Sequence, residues 1–421
     1  MKTLDAPPGL RTSGLQTVSA RPRVVQFAVP YSPNVGDGII SDCLCHALSV
    51  LRPDVEFRRI DLSGRRDFGE VTLRHRALIV RTLSQLPRPL RHRLVTAKLS
   101  RMLDRLEPEW RAAVDGADLA ILGGGQLFSD ADLNFCLKIA RASKVLAEAD
   151  VPVVVHAVGV ARNWSRSGTE LFAKLFDTDL QMIGLRDPQS LDAWIAQTDG
   201  HAKAAPPPEF TRDPGLLAAA CYGAIPPSDR IGIGVTAAEI LSYHADETPG
   251  AGNRPQFFVD LAAALADRGQ DVALFCNGAI EDRELLARLA EHPELRRRNV
   301  TTLSAPETPT ELAQLVGGLR GLIAHRLHAC IVGYAYGIPV VGLGWDRKVE
   351  SFFASTGRSE HFLPAAEISV EAVVERAEHA LQAGIDPAIH REVVDETWAG
   401  VRRVVEAGLR AQRTASESVS T

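Results

Sequence analysis

Short apolar runs rich in β-branched residues alternate with longer helical patterns along most of the chain, and they fall into two sets. The first set occupies 24–29, 55–62, 119–122, 153–158 and 182–185; the second occupies 231–236, 272–276, 300–303, 322–324 and 340–343. Runs this short, bounded by turn residues, read as buried strands. The stretches between them have helical spacing, as where Ile39, Ile40, Leu44, Ala47, Leu48 and Leu51 share one face. Strands alternating with helices imply parallel sheets covered on both sides. Three consecutive prolines, Pro206, Pro207 and Pro208, part the two sets, because they can continue neither a helix nor a central strand. The expected fold is therefore α/β, with two Rossmann-like doubly wound domains facing across a cleft. The reading places a first domain at 23–205, a linker at 206–228 and a second domain at 229–410, with disordered polar tails at 1–22 and 411–421. The last helical stretch, 370–411, is a candidate to cross back onto the first domain. Open α/β sheets bind ligands beyond the carboxyl ends of their strands, so two such edges put the site in the cleft.

A chain of 421 residues is too long for one ordinary core and suits two. Its formal net charge of -5 provides no global field to hold nucleic acid, so an anionic ligand must be met by a local group of cations. The first 23 residues carry no apolar core of signal-peptide length, and no stretch approaches the roughly 20 apolar residues of a membrane helix. The six cysteines are scattered without a CxxC pair, as expected of free thiols in a reducing compartment. The expected location is the cytoplasm. Segment 74–105 is dense in Arg and His between leucines. It reads first as a solvated helical face, and second as a peripheral contact for a membrane surface or a lipid-linked phosphate.

Four segments carry chemistry. Asn34-Val35-Gly36-Asp37-Gly38 follows the first strand and opens a helix, where glycine lets a ligand approach the backbone and the helix start favours an anion or hydroxyl. The spacing is neither the dinucleotide fingerprint nor a Walker A loop. Gly123-Gly124-Gly125-Gln126-Leu127 ends another strand and exposes a row of backbone N–H groups suited to phosphate or carboxylate. Val158-Gly159-Val160 and Arg186-Asp187-Pro188-Gln189-Ser190 end the next two strands, and the Arg186 guanidinium suits bidentate grip of an anion. Ala324-His325-Arg326-Leu327-His328-Ala329, then Gly337-Ile338-Pro339, places two histidines and an arginine at one strand end, a poor choice for a core and a good one for an anion site with a proton donor. Lys348 adds a cation near the same edge.

These segments, in this order, resemble the polysaccharide pyruvyl transferase family, whose members show Asn-x-Gly-Asp, Gly-Gly-Gly-x-Leu, Arg-Asp-x-x-Ser, Ser-Arg-x-His-Ala and Gly-x-Pro elements and a following Lys. Asp213-Pro214 also matches the family's Asp-Pro at the start of its second half. Two departures stand out: His325 replaces the usual serine, and Val158-Gly159-Val160 lacks a second glycine and a nearby proline. The resemblance implies a GT-B-like fold, phosphoenolpyruvate as donor, and a ketal on two hydroxyls of a sugar or glycan acceptor, free or lipid-linked, as product. Arg186, Arg326 and Lys348 would then meet the donor's carboxylate and phosphate. His328 would be the general acid and His325 would assist it or pair with phosphate. Asn34, Gly36, Asp37, Gly123, Gly124 and Gly125 would complete the substrate site. No metal or cofactor is called for. Two other readings share these features: a glycosyltransferase of the same fold using a nucleotide sugar, with Asp37 as its carboxylate, and a non-catalytic relative.

Overall fold

The computed structural model of the protein describes residues 21–69, 88–200, 205–238 and 254–418. Two parallel six-stranded sheets organise them. The first contains β1 (Arg23–Ala28), β2 (Glu56–Asp61), β3 (Leu119–Gly123), β4 (Val153–Val158), β5 (Leu180–Leu185) and β6 (Pro208–Phe210), in the order β2-β1-β3-β4-β5-β6. The second contains β7 (Arg230–Gly234), β8 (Asp271–Phe275), β9 (Thr301–Thr302), β10 (Gly321–Ala324), β11 (Val340–Leu343) and β12 (Phe362–Leu363), in the order β12-β11-β10-β7-β8-β9. This is the two-unit, doubly wound architecture that the alternation predicts. Central strands are buried on both faces, as β3 and β4 are throughout, which explains their unbroken apolar sequences.

Two strands depart from the sequence reading. β6 lies inside the stretch read as linker, with Pro208 at its first position, paired to Ile183. The proline is tolerated because β6 is the edge of its sheet, where a missing N–H breaks no ladder. β12 is only two residues long and edges the second sheet beside β11.

The helices that frame the site are α1 (Gly36–Leu51), α2 (Arg88–Val114), α3 (Asn134–Glu148), α4 (Pro188–Thr198), α5 (Pro255–Ala266), α6 (Ile280–Ala290), α7 (Leu327–Ala335), α8 (Arg347–Ser355), α9 (Val370–Ala383) and α10 (Pro387–Ser418). One apolar cluster fills the outer side of the first sheet, where Phe27 meets Trp110 of α2 edge-on at 5.6 Å. Another lies beneath α5, α6 and α9 on the second sheet. The third belongs to both halves: Ile39, Leu44 and Leu119 join Leu312, Ile331 and Tyr334 in one buried group. The halves are therefore fused along a common core as well as facing each other.

α10 returns to the first sheet, packing across β3, β4 and β5 and beside α1. It approaches so closely at Gly408 that a Cβ there would sit 2.3 Å from Leu119. The helix runs to Ser418, into the range read as a polar tail, and it covers the first sheet although most of it falls within the range read as the second domain. The N-terminal tail through residue 20 and the basic stretch 74–87 lie outside the described residues. In the part of α2 that is described, Leu99 and Leu103 turn inward and Arg101 and Arg105 outward, the pattern of a solvated helical face. Among the described residues no helix is long and apolar enough to cross a membrane.

Candidate active site at two switch points

Strand order reverses at β1/β3 in the first sheet and at β7/β10 in the second, and ligands of open α/β sheets sit beyond the strand ends at such points. The loop after β1 carries Asn34–Asp37, the loop after β3 carries Gly124 and Gly125, and the turn after β10 carries His325 to His328. Sequence motifs more than 200 residues apart are thus delivered to one place by the crossover order.

Contact at the centre is close. A Cβ on Gly36 would lie 2.5 Å from His328 Cβ, so only a glycine lets α1 start against α7. The Val35 N–H donates to the Asn277 carbonyl at 3.2 Å, tying the same loop to the end of β8. Asp37 stands in the first turn of α1, its Oδ1 3.6 Å from His328 Nδ1. Burial pushes the Asp37 carboxyl up, against a hydrogen bond from Ser32 and the charges of Lys348, Arg326 and Arg65. His328 is 7% exposed, and its Nε2 has no hydrogen-bond partner among the described residues. Burial first, then Arg186, Lys348 and Arg326, pulls its imidazole down to about 3. His328 is therefore neutral at physiological pH.

The three predicted cations come to this place with different obligations. Arg326 stands just before α7, and both its Nε and Nη2 donate to Asp282 Oδ2 of α6. Its charge reaches the site, but its Nε and Nη2 donors are already turned to Asp282. Lys348 Nζ lies 2.7 Å from Asp346 Oδ2, 3.5 Å from Gln126 Oε1 of the glycine loop, and 4.5 Å from the Trp345 ring centroid. Arg186 is 7% exposed and sits at 3.6 Å from Asp187 and 4.0 Å from Asp213, beyond hydrogen-bond length in both cases. Of the three, Arg186 keeps most of its donors for a ligand. Gly159 makes room for it, since a Cβ there would stand 2.4 Å from Arg186 Nη2. A narrow pocket opens beside these groups, lined by Arg186, Asp187, Arg212, Asp213 and Lys348 over a floor that includes Leu327, Ile331 and Phe352.

The glycine loop has the conformation its sequence demands. Gly124 and Gly125 both take positive φ, at 83° and 75°. The Gly124 N–H is used by the His156 carbonyl at 3.1 Å, whereas a Cβ on Gly125 would meet open space. Asn34 leaves its Oδ1 buried and unpartnered among the described residues, and its carbonyl accepts from the Asp37 N–H at 3.0 Å.

His325 is the predicted residue that the fold does not bring to this group. It is wholly buried, its ring meets Phe258 of α5 edge-on at 6.0 Å, and both ring nitrogens lack partners among the described residues. Burial, and to a lesser degree Arg326, pulls it down to about 3. Successive residues leaving a strand point in different directions, and His325 turns into the second core while His328 turns to the cleft. The sequence reading missed Asp282, Asp346 and Arg212 as neighbours of the site, and gave Gln126 only as part of the glycine segment. Only an aspartate before a helix start could have been read in advance, at Asp346, whose Oδ1 accepts the Lys348 N–H at 3.0 Å.

Solved structures share this architecture at low identity. A putative UDP-N-acetylglucosamine 2-epimerase from Listeria monocytogenes superposes with a TM-score of 0.52 at 12% identity, covering 92% of this chain and 95% of that one. A UDP co-structure of MnaA from S. aureus gives 0.51 at 11%, covering 89% and 95%. The glycosyltransferase SnogD from Streptomyces nogalater gives 0.48 at 13%, covering 92% and 100%. At such identities the likeness speaks for the fold alone. No curated protein matches the sequence. The family model of polysaccharide pyruvyl transferase, however, matches residues 34–347, from the Asn34 turn through the last motif before Lys348. With that match covering well over half its length and the motifs gathered at one cleft, the chain belongs to the polysaccharide pyruvyl transferase family.

Proposed function

We propose that this pyruvyl transferase takes its pyruvyl unit from phosphoenolpyruvate and sets it as a ketal on two hydroxyls of a sugar in a polysaccharide or its lipid-linked precursor. The observation that carries the reading is the field at His328: three cations, Arg186, Lys348 and Arg326, act on one buried imidazole. Such a field suits a small ligand bearing several negative charges. In this reading Arg186 and Lys348 grip the donor's carboxylate and phosphate, and Arg326, held by Asp282, contributes charge. Asn34, Gly36, Gly123, Gly124 and Gly125 shape the backbone wall, and Asp37 orients His328.

The reaction needs a proton at the methylene carbon, and His328 delivers it. Burial and the three cations disfavour that proton, but the donor's own charges offset the cations and restore it, so binding and protonation are coupled. The division into units at 23–205 and 229–410 also belongs to this reading, with α10 lent to the first. It is supported by two six-stranded sheets, β1–β6 and β7–β12, the first of which extends through β6 to Phe210 inside the 206–228 stretch. The work of such an enzyme in the cytoplasm, on exopolysaccharide precursors, is part of the same proposal.

The test is phosphate release from phosphoenolpyruvate by the purified protein with a panel of methyl hexosides and N-acetylhexosaminides. It runs beside melting-temperature titrations with phosphoenolpyruvate and with UDP- and CMP-sugars. Stabilisation by phosphoenolpyruvate and phosphate release that falls at least a hundredfold in His328→Ala are expected. Stabilisation by a nucleotide sugar alone would move the assignment to sugar transfer.

A further inference from the structure

Two carboxyl groups line the pocket beside Arg186, and they differ in one respect. Asp187 spends both oxygens on Ser190, accepting from its N–H at 2.8 Å and its hydroxyl at 3.0 Å. Asp213 spends one. Its Oδ1 accepts the Gly215 N–H at 2.9 Å and so starts the turn Pro214–Leu217, while Oδ2 is buried with no hydrogen-bond partner among the described residues. The nearest cation, Arg186 Nη1, is 4.0 Å away. The residue as a whole is 3% exposed, on the wall of a pocket with an apolar floor.

A carboxylate oxygen left without a donor in such a place is costly to keep, and nothing in the turn it caps requires it. Burial accordingly pushes the Asp213 carboxyl up to about 6, against the pull of Arg186 and the Gly215 N–H, with Asp37 and Asp187 adding to the rise. The charged and titratable groups facing it are Arg186 and Asp187 beyond β5, Asp37 and Cys43 on α1, its neighbour Arg212, and Lys348 on α8.

Pyruvyl transfer, the reading on which this inference rests, has a definite proton count. Both acceptor hydroxyls lose a proton, one proton arrives at the methylene carbon, and one departs with phosphate. His328 supplies the methylene carbon, so a second group must take the proton from the attacking hydroxyl.

We propose that Asp213 is the catalytic base of this enzyme: its free Oδ2 accepts the proton of the first acceptor hydroxyl and returns it to the departing phosphate. As C3 gains its proton from His328, electron density leaves C2, and the hydroxyl oxygen bonds to C2 as its O–H bond breaks toward Asp213. The C2–O bond to phosphate then breaks, and the leaving oxygen takes the proton from Asp213. The second hydroxyl closes the ketal on C2, and its proton restores His328. Both residues end as they began, and the sum is donor plus diol giving ketal plus hydrogen phosphate.

Asp213→Asn is the decisive variant, because the amide oxygen still caps the turn at Gly215 while the base is lost. Phosphate release would be followed from pH 5 to 9 with phosphoenolpyruvate and the hexoside panel, together with donor affinity by calorimetry. The variant is expected to lose a hundredfold or more in kcat. It should keep donor affinity within threefold, and lose the fall in kcat/KM below pH about 6 that is expected of the wild type. A variant with kcat within threefold of wild type, or with the acid fall intact, overturns the assignment. So does a loss of donor affinity that matches the loss of rate, which would mean that Asp213 acts only through Arg186. Should the Asn variant melt far below wild type, Asp213→Glu decides. Retention of the acid fall at reduced kcat supports the base, and a flat profile overturns it. If the wild-type protein releases no phosphate with any acceptor, the pyruvyl-transfer reading falls and the assignment with it. Wild-type turnover that survives in Asp213→Asn removes the assignment alone.

Discussion

Two histidines three residues apart, His325 and His328, end the same strand and meet opposite fates. Each is held neutral by burial, and each leaves at least one ring nitrogen without a partner among the described residues. Only His328 feels Arg186 and Lys348. His325 faces Phe258 instead, and its backbone carbonyl accepts the Trp345 indole N–H at 2.6 Å. An imidazole buried this way carries an unsatisfied polar cost of roughly 1–3 kcal/mol. His325→Leu should therefore leave the melting temperature at pH 7.5 no lower than wild type and phosphate release within threefold. A hundredfold loss of turnover with an intact fold would show that the His325 ring reaches the reaction after all.

At the scale of elements, the end of β4 places Arg186. The strand carries a register shift between Val155 and Val158 against β5, and Ala157 adopts a positive φ of 53°. Such irregularities re-aim the residues that follow. Here the Ala157 N–H is taken by the Thr211 hydroxyl at 3.1 Å and the Gly159 N–H by the Gly125 carbonyl at 2.8 Å, which binds the glycine loop to the shelf under Arg186. A methyl group on Gly159 would strike the end of a flexible side chain, not backbone. Gly159→Ala should then fold with a melting temperature close to wild type while displacing the guanidinium. Loss of one charge-assisted contact is worth about 1.5–3 kcal/mol, so KM for phosphoenolpyruvate should rise roughly ten- to a hundredfold. An unchanged KM would take Arg186 out of donor binding.

The whole molecule is held together by α10 as much as by the shared core. His156 on β4 is fully buried beneath that helix, close to Gly400, and burial together with Arg403 pulls it down to about 3. His325 is the corresponding buried imidazole of the second unit. Unfolding lets each take up a proton below its ordinary value near 6.5, while the folded chain refuses it until about 3. Their contribution to stability is full above pH 6.5 and is lost as pH falls toward 3. The double variant His156→Leu, His325→Leu should flatten the acid side of the stability curve by two protons. Denaturant unfolding between pH 6 and 4 would read this as roughly 2.7 kcal/mol per pH unit less slope than wild type. Parallel curves would mean that these imidazoles titrate in the folded protein.

Ten of the twelve strand positions, the parallel sheets, the two-unit plan and the family motifs were legible from local pattern. β-Branched runs, helical spacing and glycine at positive φ are properties of a few neighbouring residues, and they keep their meaning before any fold is known. Asn34–Asp37, the glycine loop, Arg186, Arg326, His328 and Lys348 could be named for the same reason, since each stands at a strand end or helix start. What the tertiary structure alone decided is partnership and direction. Pro208 of the supposed linker begins an edge strand because β5 offered an open flank, and α10 returned to the first sheet because its apolar face matched that surface. Arg326 was committed to Asp282, His325 was turned inward, and Asp213 kept one oxygen free. Each outcome depends on which distant side chain lies within a few ångströms, a distance that sequence separation does not encode.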